Sequence, residues 1–273
     1  MVVGKQAAPV KYCRFTAVVL TTFAAVLPAF VKADMVAAIE RIKQSVVIVG
    51  TYNETESPRF RLRGSGFVVG NGNWAITNAH VLPHKQDAIS VPQNEVGTRL
   101  VVQIRAPSGA LSQRQATILD IDPTHDLALL RFEGAAAPML KVQSGPGPKE
   151  GQTVGLMGFP IGGALGFAPV THRGMIASIT TAALPSATGQ QLDARTARTL
   201  RDNNFEVFQL DATAYPGNSG GPLFDVDSAE VLGVINMVFV KGTRESALTA
   251  PSGITYAIPA KFVSLILKKN TAE

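Results

Sequence analysis

Cysteine is almost missing from this chain. Cys13 is the only one in 273 residues, so no disulfide can form within the chain and the fold must rely on its core. Long hydrophobic runs are scarce too. The one extended apolar stretch, residues 15–31, is broken by threonines and by Pro28 and spans 17 residues, short of the about 20 that a membrane-crossing helix needs. Lys5, Lys11 and Arg14 precede it and Val31-Lys32-Ala33 closes it, the layout of a secretory signal cleaved near Ala33. Retention of this segment as an anchor is the alternative. Cys13 lies before the apolar run, not at its end, where a lipoprotein cysteine would stand. Excess charge is also scarce once residues 1–33 are set aside. They hold four basic residues and no acidic one, so a net charge of +5 falls to +1, and nothing calls for a nucleic-acid partner. The remaining chain, about 240 residues long, can bury enough apolar surface to fold without cross-links.

What is present is a series of short apolar runs bounded by Gly, Pro, Asn and Asp, the pattern of an all-β fold. Strands are predicted at residues 46–52, 66–69, 74–77, 100–104, 116–120 and 127–132. A second set falls at 153–157, 171–179, 205–210, 221–224, 231–240 and 254–258. Asn71-Gly72 between two of these runs signals a hairpin turn. Six strands per half fits two packed six-stranded antiparallel β-barrels, over residues 34–140 and 141–273, with a linker within 135–151. A short N-terminal helix is expected at 35–44, where Val36, Ile39 and Ile42 share a face. A C-terminal helix is expected at 259–269. It opens on Pro259, suited to a first turn, buries Phe262, Leu265 and Ile266, and carries Lys268 and Lys269 at its C-terminal end. Residues 181–204 are polar, hold Pro185 and Gly189, and read as an inserted surface loop near the cleft.

Gly217-Asn218-Ser219-Gly220-Gly221-Pro222-Leu223 sets a hydroxyl among glycines. By itself this composition also suits an ordinary turn. A serine nucleophile needs a base to take its proton and N–H donors for the oxyanion that follows. Thr77-Asn78-Ala79-His80 ends one predicted strand, and Asp122-Pro123-Thr124-His125-Asp126 opens another. A histidine as base and an aspartate to orient it complete the set. The order His80, Asp126, Ser219 is that of chymotrypsin-type enzymes. An α/β-hydrolase would need a histidine after its serine, and none follows His172.

Gly64-Ser65-Gly66-Phe67, Thr77-Asn78-Ala79-His80, Asp126-Leu127-Ala128 and Gly217-Asn218-Ser219-Gly220-Gly221-Pro222-Leu223 together resemble trypsin-like serine proteases. Within these, the chain is most similar to the bacterial HtrA/Deg-like protease domain, to which Gly253-Ile254-Thr255-Tyr256-Ala257-Ile258-Pro259 adds a similar closing strand. The resemblance covers about residues 36–262. It implies a chymotrypsin-like fold and an exported, periplasmic or secreted serine endopeptidase acting on protein or peptide substrates, with no cofactor and no metal. The sequence leaves no room for the PDZ domain such enzymes often carry. The competing reading is a peptide-binding, chaperone-like protein on a protease scaffold; a small-ester hydrolase with the same triad is a third.

The resemblance also implies site roles. Ser219 attacks, His80 is the base and Asp126 orients it. The Gly217-Asn218-Ser219 turn forms the oxyanion hole, with the N–H groups of Gly217 and Ser219 as donors. Pro216 stands where the family often has arginine, and its fixed φ is expected to pre-form the hole. Asn218 replaces the aspartate that trypsin-type zymogens pair with a new N-terminus, which argues against activation by clipping. Thr213 and Ala214 are expected at the pocket floor, and Ile235, Asn236, Met237 and Val238, with the strand near Ile254, in its walls. No carboxylate lies at that floor, so a Lys or Arg substrate side chain would lack its partner; small aliphatic side chains are expected instead. His84 reads as a solvated loop residue, His172 as structural, and Asp120 and Asp122 as shaping the turn before Asp126. His125 is expected to face away from the site, because neighbouring strand residues alternate.

Overall fold

The structure, a computed structural model, describes residues 1, 4, 35–83, 97–106, 109–160, 166–181, 205–236 and 253–271. Cys13, the expected signal segment apart from Met1 and Gly4, His84, Met237, Val238 and nearly all of the 181–204 loop lie outside them. The described residues from 35 to 271 belong to one compact unit. In it β1 (Val46–Tyr52), β2 (Phe60–Val69), β3 (Trp74–Asn78), β4 (Arg99–Arg105), β5 (Leu111–Asp122) and β6 (Leu127–Phe132) close a barrel in the order β1-β2-β3-β6-β5-β4. A second barrel closes from β7 (Thr153–Gly158), β8 (Val170–Thr181), β9 (Glu206–Asp211), β10 (Pro222–Asp225), β11 (Val231–Asn236) and β12 (Ile254–Pro259), in the order β10-β11-β12-β9-β8-β7. All ladders are antiparallel. This is the chymotrypsin-like all-β arrangement that the resemblance implied, with α1 (Met35–Lys43) and α2 (Ala260–Thr271) at its two ends.

Alternation explains why the strands read as unbroken apolar runs. Successive strand residues face opposite ways. Val47 and Val49 of β1, with Val68, Ala75, Ala128 and Leu130, fill the first barrel. Val46 and Ile48, with Phe67, Ile76, Leu127 and Leu129, face outward onto Met157, Phe224, Val234, Phe262 and Ile266 of the second half. Both faces are dry, so neither needs polar residues. The second barrel has its own filling, including Leu156, Ile176, Leu210, Leu223 and Ala257.

Three boundaries differ from the sequence reading. β2 and β5 begin earlier, at Phe60 and Leu111, because pairing with β1 and β4 carries half-exposed, polar stretches into the sheet. Pro259 is the last residue of β12, not the first of the helix. In α2 the buried stripe is Ala260, Phe262, Val263 and Ile266, and Leu265 is exposed. At about 100° per residue, Leu265 falls beyond the edge of that stripe. For the same reason α1 buries Ala38 and Ile42 while Val36 is exposed. Among the described residues no helix is long and apolar enough to cross a membrane.

Candidate active site

His80 lies in a single 3₁₀ turn, Ala79–Val81, directly after β3. Asp126 ends the turn that leads into β6. Because Asn78 pairs with Leu127, the end of β3 and the start of β6 sit side by side, and the two residues meet although 46 positions apart. The Asp126 carboxylate takes the His80 ring at Nδ1, 2.6 Å from Oδ2, and the His80 backbone N–H at 2.9 Å on Oδ1. A carboxylate can only accept, so Nδ1 carries the proton and Nε2 keeps a free lone pair. Asp126 holds this pose with φ of 51°, a left-handed conformation that Asp tolerates better than most residues. Its carbonyl accepts from Ala79 N–H at 3.1 Å and from Asn78 Nδ2 at 3.0 Å. Arg63 closes the other side of the turn, donating from Nε to Val81 O at 2.7 Å and from Nη2 to Leu82 O at 3.1 Å.

Asn236, expected in the wall of a specificity pocket, turns its side chain to the dyad instead. Its Nδ2 donates to Asp126 Oδ2 at 2.7 Å. Asn236 is fully buried at the end of β11. Ile235 likewise faces the interior of the second barrel, in the same cluster as Ala214. Thr213 is half-buried and Ile254 exposed.

Ser219 sits in the tight turn before β10, 6% exposed. The backbone around it is nearly fully committed. Asn218 N–H donates to Tyr215 O at 3.0 Å, Gly220 N–H to Ile235 O at 2.9 Å, and Gly221 N–H to Asn218 O at 2.9 Å. Asn218 therefore spends its N–H inside the turn and has none to offer an oxyanion. Among the described residues the N–H groups of Gly217 and Ser219 have no such acceptor. Gly217 adopts φ of 106°, and a Cβ there would run into Phe159 O; at Gly220, with φ of 85°, it would run into Ser65 O. Both positions demand glycine. The Asn218 amide is buried against Gly158 and has no hydrogen-bond partner among the described residues.

Ser65 and Thr77, quoted in the sequence motifs without roles, belong to this turn. Ser65 N–H donates to Ser219 O at 2.8 Å and its hydroxyl to Gly217 O at 2.6 Å, while Thr77 Oγ1 donates to Ser65 O at 2.7 Å. The Ser65–Gly217 bond spans 152 residues, so only the repeated small-residue pattern Gly64-Ser65-Gly66, which admits a close approach, hints at it in the sequence.

The remaining histidines are placed by other partners. His125 lies in the β5–β6 turn, where alternation does not apply. Its Nδ1 is 2.6 Å from Asp122 Oδ2, its ring stacks on Phe262 at 3.7 Å between centroids, and it meets the Phe205 ring in a T-shaped arrangement at 4.7 Å between centroids. Asp122 also accepts the His125 N–H at 3.1 Å, which shapes the turn as expected. Asp120 instead binds α2, through Lys269 at 2.8 Å and Asn270 at 3.0 Å. His172 on β8 lies near the Tyr215 ring, its buried Nε2 without a partner among the described residues, and burial lowers its pKa from the usual imidazole value. A cavity of about 620 Å³ lies elsewhere, between residues 143–148 and α2, lined by Phe208, Leu232 and Phe262 and by none of His80, Asp126 and Ser219. Among the described residues no group of His, Cys, Asp and Glu is set to hold a metal.

A family model described as a trypsin-like peptidase domain matches residues 64–234. A probable periplasmic serine endoprotease, DegP-like, from Marinomonas sp. (strain MWYL1) is 31% identical over 77% of this chain and 36% of its own length. The mitochondrial serine protease HTRA2 of Drosophila pseudoobscura pseudoobscura is 30% identical over 76% of this chain and 38% of its own. The chain thus spans little more than a third of these curated relatives. Among solved structures, an HtrA-type protease with tripeptide superposes with a TM-score of 0.57 at 21% identity, covering 86% of this chain and 62% of that one.

Proposed function

Because the chain belongs to the family of trypsin-like peptidase domains, we propose that it is a serine endopeptidase acting through His80, Asp126 and Ser219. His80 Nε2 takes the Ser219 Oγ proton as Oγ bonds to the scissile carbonyl carbon, whose π electrons move to oxygen. The N–H groups of Gly217 and Ser219 receive that oxyanion. On collapse, the amine leaves with the proton from His80, and water repeats the sequence to free the acyl group from Ser219. The observation that carries this reading is the two-point grip of Asp126 on His80, at 2.6 and 2.9 Å, which sets the tautomer a general base needs. Asn218 is neutral and buried and cannot form a zymogen-type ion pair, so activity is taken to follow folding without clipping.

The test is labelling by a fluorophosphonate probe together with casein cleavage, in the wild type and Ser219→Ala. Labelling and cleavage that both vanish in the variant are expected. A wild-type protein that is never labelled but suppresses aggregation of a client overturns this reading in favour of peptide binding. Two finer points belong to the same proposal. Small aliphatic side chains are preferred before the cut, since Thr213 and Ala214 bring no carboxylate to the expected floor; a peptide library cleaved mainly after Arg refutes this. Export follows from the basic, apolar residues 5–33, and an intact Met1 on the protein recovered from the producing cells refutes cleavage.

A further inference from the structure

We propose that Ser65, on the first barrel, is a positioning residue for the oxyanion-hole turn of the second. The inference rests on the reading of Ser219 as nucleophile. Ser65 is fully buried, and every polar group it has is engaged around that turn. Its N–H holds Ser219 O at 2.8 Å. Its hydroxyl donates to Gly217 O at 2.6 Å and accepts from Phe159 N–H at 2.9 Å. Its carbonyl takes the Thr77 hydroxyl at 2.7 Å.

The geometry gives these bonds a specific task. A peptide unit is planar, so fixing its carbonyl fixes the N–H across the plane. The Gly217–Asn218 plane is held at one edge by the Ser65 hydroxyl and at the other by Asn218 N–H on Tyr215 O. The Ser219–Gly220 plane is held likewise, by Ser65 N–H on one edge and by Gly220 N–H on Ile235 O on the other. The two pinned planes flank the peptide unit that carries the Ser219 N–H, and the first adjoins the unit that carries the Gly217 N–H; these are the proposed donors. Gly217 is the weak point, because a glycine at φ of 106° rotates more freely than any other residue. Without the Ser65 hydroxyl the Gly217–Asn218 plane is held at one edge only, by Asn218 N–H, and rotation about Gly217 can carry its N–H out of the position where the oxyanion forms. Ser65 touches neither the substrate nor the reacting atoms; it acts through Gly217.

The test compares Ser65→Ala with wild type, with Ser219→Ala, and with Val102→Ala, a core truncation inside the first barrel away from the turn. Loss of one oxyanion donor costs about 100- to 1000-fold in kcat; a donor left in place but unrestrained is expected to cost about 10- to 100-fold, with KM within about twofold. A peptide boronate, whose adduct places an oxygen in the hole, should bind Ser65→Ala more weakly by the same factor, while a product peptide binds equally. The downfield proton on His80 Nδ1 should persist. Ser65→Cys keeps the volume but donates weakly, and is expected to lose kcat similarly if the alanine variant does not fold. Turnover that persists in Ser219→Ala overturns the nucleophile reading and this proposal with it. Turnover lost in Ser219→Ala but within twofold of wild type in the Ser65 variants overturns this proposal alone. So does an equal kcat loss in Val102→Ala, or loss of the His80 signal in Ser65→Ala, either of which marks Ser65 as merely structural.

Discussion

Asn236→Leu removes the third donor to Asp126 while keeping the branched four-heavy-atom shape of the side chain. The bond it breaks, 2.7 Å from Asn236 Nδ2 to Asp126 Oδ2, has a charged acceptor, and such bonds contribute about 1.5–3 kcal/mol. The structure decides where in that range the loss falls. Asn236 is fully buried, but the Asp126 side chain is 21% exposed, so water can reach the carboxylate and replace part of what is lost. The lower end applies, about 1.5 kcal/mol, which is a little over tenfold. His80 still donates to both carboxylate oxygens, so the dyad survives but is held less firmly. Steady-state cleavage of a fluorogenic peptide should therefore show kcat reduced about tenfold and KM little changed. Thermal unfolding run alongside separates this from a general loss of fold. If kcat stays within twofold of wild type while His80→Ala and Ser219→Ala are inactive, Asn236 has no part in orienting Asp126.

Gly220→Ala forces a Cβ toward Ser65 O and Thr77 Oγ1 at a φ of 85°; a loss above about 2 kcal/mol in urea unfolding is expected, and a stable, active variant contradicts the turn geometry. His172 has a folded-state pKa lowered by burial, so the unfolded chain binds its proton more readily. Stability at this site is thus complete above about pH 6.5 and falls as pH drops toward the folded value; His172→Gln should flatten that slope between pH 5 and 7.5. Asp120 is held below the ordinary carboxylate range, first by the Lys269 hydrogen bond and, against burial, by Asn270 and the Ile121 N–H. Its contribution is present above about pH 3.9 and is lost as pH falls through the folded value, so Asp120→Asn should weaken α2 docking at pH 6 and narrow its difference from wild type at pH 3, read by hydrogen exchange in Ala260–Thr271.

The strands were legible because residues such as Val46 to Val49 and Leu127 to Leu130 are buried on both faces, leaving no polar interruption to blur them. Where one face is wet, as in Leu111 to Gln115, the apolar signal fades and only pairing with β4 reveals the strand. His80, Asp126 and Ser219 stood out for a different reason: each sits in a short local motif at the end of a strand. Asn236 and Ser65 did not, because their roles depend on which way a side chain faces across 110 and 152 positions. Asn218 was legible as a residue of the expected oxyanion-hole turn, but the spending of its N–H on Tyr215 O was not. Leu265 was misread because a helix stripe of four residues is narrower than a count of apolar residues suggests.

The first barrel brings His80, Asp126 and Ser65 to the seam; the second brings Ser219 and Asn236. The second barrel closes only when β12, Ile254–Pro259, seats between β9 and β11. β12 is the last of the described strands in chain order, whereas β3 and β6, which place His80 and Asp126, close their barrel without it. A chain folded only through its first barrel would hold the His80–Asp126 pair without Asn236 on Asp126 and without the closed turn around Ser219. Under the proposed function, the order of the strands makes competence for peptide-bond cleavage wait on the closing strand of the second barrel.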